Sequence, residues 1–275
     1  MAYQLDGDIT LPATLHKTAR WQLAAAQRDF AELSEEEAVH ALRKHCKKMR
    51  ALLRLVRRDI GDLYAEENAH YRELANSLSG SRDAVSIRDA LLTLASAEEF
   101  PDIMAFLESR VAHGADPQAM EQAAEQLRQG AARVDGWPLE SLDWPCACKG
   151  YRRGYRRARK AMKRALKNET AAEFHEYRKR VKDHWYHTRL LEKKYPRALR
   201  GRRKPLKELA QALGDWRDLT LLCELLRQNE TVLGAELAPL LKRAKRQHEA
   251  LRETTERLGR DLFVEKSFTL KADSR

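Results

Sequence analysis

Leu42, Cys46, Met49, Leu53, Val56 and Ile60 recur at steps of four and three residues. At 100° per residue they share one face of a helix. His40, Arg43, Lys44, Lys47, Arg54 and Arg58 fall on the opposite side. A second stripe, Tyr151, Tyr155, Ala158, Met162 and Ala165, repeats the pattern, with Arg and Lys fanning across the rest of the turn. Pro12 and the run from Leu15 to Leu33 predict a first long helix. Ser34 followed by three glutamates reads as the cap of the next. Further helices are predicted near 35–60, 66–78, 82–95, 99–113 and 116–133, the last opened by Asp116-Pro117. Residues 134–148 carry Gly136, Pro138 and Pro145 with no helical period and read as a linker. Helices near 149–167, 170–194, 202–213, 215–229 and 233–262 follow, then a tail from about Phe263 to Arg275 read as mobile. No alternating strand pattern of convincing length occurs, so the fold class is all-α.

The chain repeats itself at an offset of 135 residues. His40-x-x-Arg43-Lys44-x-x-Lys47 matches His175-x-x-Arg178-Lys179-x-x-Lys182, and Arg54-Leu55 matches Arg189-Leu190. A second island, Glu73-Leu74-Ala75-x-x-Leu78-x-x-x-Arg82-Asp83, matches Glu208-Leu209-Ala210-x-x-Leu213-x-x-x-Arg217-Asp218 without a gap. Two copies of a long period point to a duplicated helical unit rather than a solenoid.

Charge sharpens this picture. The 275 residues carry a formal net charge of +11. Residues 149–182 hold 14 Lys or Arg against 3 Asp or Glu, so this segment carries the whole excess. Residues 40–58 hold eight basic side chains and no acid. A solvated face covering the core with long stems is one reading, but such a face usually intersperses acids at i,i+4. Like charges this dense oppose folding, so an anionic ligand is the better reading. No run approaches the ~18 apolar residues of a membrane span, and the first residues lack the basic start and apolar run of a signal peptide. The expected location is cytoplasmic, with no membrane partner. Cys46, Cys146, Cys148 and Cys223 form no disulfide framework or zinc knuckle and read as free thiols.

At the residues quoted, the sequence resembles the CHAD domain, the conserved histidine α-helical domain. The two His-x-x-Arg-Lys-x-x-Lys helix starts, the helix YRRGYRRARKAMKRAL and the turn LGDWRDL occur in that family's order, over about residues 10–262. The first half departs where Ser79 stands in place of the glycine that Gly214 supplies in the second. The resemblance implies one domain over 1–275, with halves of about 10–133 and 149–262. These would fold as two similar antiparallel four-helix bundles related by a pseudo-twofold axis. It also implies binding of inorganic polyphosphate in a basic central groove or pore, and association with polyphosphate granules.

Recognition of a linear polyanion needs many guanidinium and ammonium donors along a track. The candidate contacts are His40, Arg43, Lys44, Lys47, Arg50 and Arg54, with His175, Arg178, Lys179, Lys182 and Arg189 from the second copy. Arg152, Arg153, Arg156, Arg157 and Lys160 join them from the basic helix. His40 and His175 can each donate to phosphate or serve only the protein. Arg217-Asp218 reads as a cap and ion pair at a turn, or as a ligand contact through Arg217. Trp185 and Trp216 read as core or groove wall, and His184-x-x-His187 as a surface pair.

Nucleic acid is the competing partner, expected only as a non-specific competitor because the basic faces carry almost no aromatic base-readers. A metal-dependent polyphosphate hydrolase is a further alternative, through Asp215 and Asp218. No P-loop, G-x-S-x-G or H-E-x-x-H string occurs. The expectation is a binding module without catalytic residues, cofactor or metal, monomeric or dimeric.

Overall fold

A computed structural model describes residues 3–78, 82–111 and 116–270, with the side chains of Arg82 and Asp83 outside the description. Among the described residues the regular structure is helical: α1 (Leu11–Glu32), α2 (Glu35–Val56), α3 (Gly61–Ser77), α4 (Arg82–Leu92), α5 (Pro101–Glu108), α6 (Pro117–Arg133), α7 (Trp144–Asn168), α8 (Ala171–Leu191), α9 (Pro196–Gln228), the single turn α10 (Glu230–Leu233) and α11 (Leu237–Leu262). Several starts are set by capping. Glu37 accepts hydrogen bonds from Ser34 N and Oγ at 3.3 and 2.7 Å. Asp116 accepts from Gln118 N, Asp143 from Cys146 N and Thr170 from Glu173 N. Each satisfies a donor that has no partner within its own helix.

Four helices close on themselves in each of two bundles. In the first, α1 packs on α2, α2 on α3, α3 on α6, and α6 on α1. In the second, α7 packs on α8, α8 on α9, α9 on α11, and α11 on α7. The helix bounds keep step with the 135-residue offset: α2 shifted by it spans 170–191, against Ala171–Leu191 for α8.

The bundles are joined where α2 packs on α7 and α8, and where α4 packs on α9. The core is therefore not divided at the linker. One apolar cluster runs from Leu11, Leu42 and Tyr71 into Tyr151, Tyr186 and Leu199. Another brings Leu91 and Ile103 of the first half against Leu222 and Leu240 of the second. At the α2–α7 crossing Gly150 lies directly on the carbonyl of Leu55, an approach that leaves no room for a Cβ.

Two connections differ from the sequence reading. The predicted turn between 213 and 215 is absent: α9 runs through Gly214 as one helix of 33 residues. An interior glycine costs about 1 kcal/mol, and here the buried Leu209, Leu213, Trp216 and Leu219 on both sides hold the helix together. In the first copy α3 and α4 are separate helices; Ser79, the position that breaks the repeat, lies outside the described residues. The linker is shorter than expected, because α7 begins at Trp144 on its Asp143 cap.

The chain does not come loose at Phe263. Phe263 and Leu270 are buried, Tyr155 Oη donates to Glu265 O at 3.0 Å, and Arg159 Nε donates to Phe263 O at 3.0 Å. At the other end Tyr3 and Leu5 are buried against α2 and α8, with Leu5 N donating to Leu190 O and Tyr3 Oη to Lys48 O.

Candidate anion-binding cleft

The basic turns of α2 and α8 meet. His40, Arg43, Lys44 and Lys47 from α2 line one cleft of about 390 Å³ with His175, Arg178 and Lys182 from α8. Ser86 of α4 and Arg217 and Asp218 of α9 complete it, with Trp185 and Tyr186 at one side. The repeat explains the meeting: α2 and α8 pack on each other, and the basic positions that match at the 135-residue offset come to the same cavity from both helices.

Electrostatics in the cleft favour an anion. Arg43 is tied to α3 through Nη1 donating to Ala75 O at 3.1 Å, which fixes its guanidinium at the wall. Arg178 lies against Gly214, and its buried Nε has no hydrogen-bond partner among the described residues. Trp185 Nε1 is likewise a buried donor without an acceptor. Burial, then the charges of Lys179, Arg217 and Arg178, hold the pKa of His175 below the ordinary histidine value. A phosphoryl group placed in the cleft relieves the repulsion among these cations.

The remaining candidate residues lie elsewhere. Lys179 is exposed and pairs with Glu176 at 2.8 Å. Arg50 Nε donates to Asn68 Oδ1 at 3.2 Å, and Arg54 pairs with Asp183 at 2.8 Å. Arg189 is half-buried over the rings of Tyr3 and Trp185. On α7, Arg153 pairs with Asp59 at 3.6 Å, and Arg152 borders a separate cavity with Trp144, Lys149 and Lys194. Arg156, Arg157 and Lys160 are exposed; Arg157 feels the charges of Arg57, Arg180, Arg58 and Arg153. Seven of the candidates thus line one cleft, and the exposed cations of α7 form a cationic face within reach of the charges of Arg57, Arg58 and Arg180.

Arg217 and Asp218 are paired at 2.9 Å in the middle of α9 instead of capping a turn. The sequence signal for Arg217 is its recurrence at the offset; Ser86 has none. The expected surface pair His184 and His187 is buried. The His184 ring packs on Tyr151 and Tyr155, and His187 Nε2 bonds to Ala51 O at 3.0 Å. Burial pushes His184 far below the usual range and His187 down to about 4, so both are neutral. No group of three or more His, Cys, Asp or Glu able to hold a metal occurs among the described residues.

Fold and cleft define a two-bundle helical protein with a cationic cleft between its bundles. The chain belongs to the CHAD domain family, whose model matches residues 14–227. Among solved structures it is similar to the crystal structure of the CHAD domain from the plant Ricinus communis, with a TM-score of 0.66 and 18% identity, covering 98% of this chain and 97% of that one. At that identity the likeness speaks for the fold. No curated protein matches the sequence.

Proposed function

We propose that this protein binds inorganic polyphosphate in the α2–α8 cleft and holds it without cleaving it. The observation that carries this reading is the meeting of Lys47 and Lys182, and of Arg43 and Arg178, at one cavity from positions 135 residues apart. Duplicated cations on two walls suit a ligand that repeats the same charged unit. The cleft offers few groups that read anything else. Its tryptophan and tyrosine rings are Trp185, covered by the Arg189 guanidinium at 5.0 Å, and Tyr186, which is buried. Neither is presented for base stacking, which favours a bare phosphate chain over nucleic acid.

Titration with labelled long-chain polyphosphate, followed by competition with single-stranded and duplex DNA at equal charge concentration, tests the reading. Polyphosphate is expected to bind the tighter. Six lining Arg and Lys side chains give a slope of log K against log salt of roughly −5. Displacement by DNA at equal charge overturns the selectivity. Release of phosphate in Mg²⁺ or Mn²⁺ overturns the non-catalytic part.

A further inference from the structure

The two walls of the cleft are not equivalent, and the difference lies in the acids. Glu176 and Asp183 of α8 stand where α2 has Ala41 and Lys48 at the 135-residue offset. Their effect is local. Glu176 pairs with Lys179 at 2.8 Å and with Arg180 at 2.5 Å. Asp183 pairs with Arg54 at 2.8 Å and lies 3.9 Å from Arg180. On the side of the α2–α8 contact that carries Arg54, both Arg54 and Arg180 are thus tied to carboxylates, and the Arg54–Asp183 pair is four-fifths covered at both side chains. An anionic chain crossing there would have to separate that pair and face the freed carboxylate, a costly rearrangement at a largely covered site.

The equivalent position on the other side holds Lys48 and Arg189, a like-charge pair. Lys48 Nζ lies 5.8 Å and the Arg189 guanidinium carbon 5.5 Å from the centroid of the same Tyr3 ring. Neither side chain has a carboxylate partner among the described residues. The acids whose charge reaches them, Asp29 and Glu192, are bonded to His45 and Arg203. Burial, then the charges of Arg189 and Lys44, bring the Lys48 pKa down to about 8, which still leaves it protonated at neutral pH. Two half-buried cations supported only by ring faces are a destabilising arrangement that an added anion relieves.

This pair is continuous with the cleft. Lys44, Trp185 and Tyr186 line the cleft. Lys44 sits one turn before Lys48 on α2, Trp185 lies under Arg189, and Tyr186 meets the Tyr3 ring edge-on at 5.9 Å. We propose that a polyphosphate chain seated in the cleft leaves it over Lys48 and Arg189, on the Tyr3 side, and does not pass over Arg54. This rests on the reading of the cleft as a polyphosphate site and gives the bound chain a defined path.

The test compares tripolyphosphate, short enough to stay in the cleft, with a long polyphosphate chain. Both are titrated against wild type, Lys48→Met/Arg189→Gln, Arg54→Gln/Asp183→Asn and the charge-matched control Lys242→Met/Lys245→Gln. For Lys48→Met/Arg189→Gln, Kd for the long chain is expected to rise about a hundredfold or more, the size of two lost charge-assisted contacts. For tripolyphosphate it should change less than about twofold. The Arg54→Gln/Asp183→Asn variant keeps the net charge and should bind both chains as wild type does, and the control pair should also leave both affinities near wild type. Equal losses for short and long chains, or a long-chain loss in the Arg54 variant that matches the Lys48 variant, overturn the exit route. If wild type binds both chains and the Lys48 variant is unchanged, the route alone fails. If wild type binds neither, the reading of the cleft fails and the route with it. Should the double variant melt early, Lys48→Met alone serves, since removing one of two like charges relieves repulsion and should not lower the melting temperature.

Discussion

Lys47 of α2 and Lys182 of α8 occupy the same place in two copies of one sequence pattern and line the same cavity. That relationship makes a direct prediction. Lys47→Glu/Lys182→Glu places two carboxylates inside the cleft, where each reverses an attraction. Lys242→Glu/Lys245→Glu makes the same change in net charge beside a different cavity, between α9 and α11. Polyphosphate affinity should fall about a hundredfold or more in the first variant and less than about threefold in the second, because charges beyond a Debye length of ~10 Å are largely screened. Anisotropy titrations of both variants at one salt concentration check it; equal losses mean the ligand follows net charge and not the cleft.

Gly150 should be the least tolerant glycine at the join between the bundles. A methyl group there would strike the backbone carbonyl of Leu55, which cannot swing aside as a side chain can. Gly150→Ala is expected to cost about 1–3 kcal/mol as overpacking, and to lower Tm by about 2–4 °C for each kcal/mol. Gly201→Ala, where nothing lies near the added methyl, is the control and should hold or raise Tm. Thermal unfolding followed by circular dichroism decides between them.

His187 ties folding to pH. Its folded pKa is held down at about 4 by burial, against an ordinary value of 6.5. The unfolded chain therefore binds this proton first. The contribution of neutral His187 is complete above pH 6.5 and is lost as pH falls from there towards 4, at up to ~1.4 kcal/mol per pH unit. Between pH 7 and pH 5 that amounts to about 2 kcal/mol. His187→Gln should lose about 2 kcal/mol less over the same interval than wild type in urea unfolding. Equal losses would place the pH dependence elsewhere, on His184 or among the carboxylates.

Much of the fold was legible because its helices are amphipathic and their caps are written in the chain. Ser34 and Asp116, read as helix starts, each stand just before a helix that the structure contains. The His-x-x-Arg-Lys-x-x-Lys copies pointed to the cleft because a repeated helical face carries its own geometry. What stayed hidden depends on partners far along the chain. Arg54 reads as a free basic residue until Asp183, 129 residues away, takes it as an ion-pair partner. His184 and His187 read as surface because their neighbours in sequence are charged, whereas Tyr151 of α7 and Phe263, just past the end of α11, cover His184. Gly214 reads as a turn because its helix cost is local and the leucines that outweigh it act through packing.

The most direct measurement is a crystal structure of the protein grown with long-chain polyphosphate. The expected result is a string of phosphate density between α2 and α8, in contact with Lys47 and Lys182 and with Arg43 and Arg178. Phosphate bound only along α7, or an empty cleft in a crystal whose protein holds polyphosphate elsewhere, is the result that contradicts it.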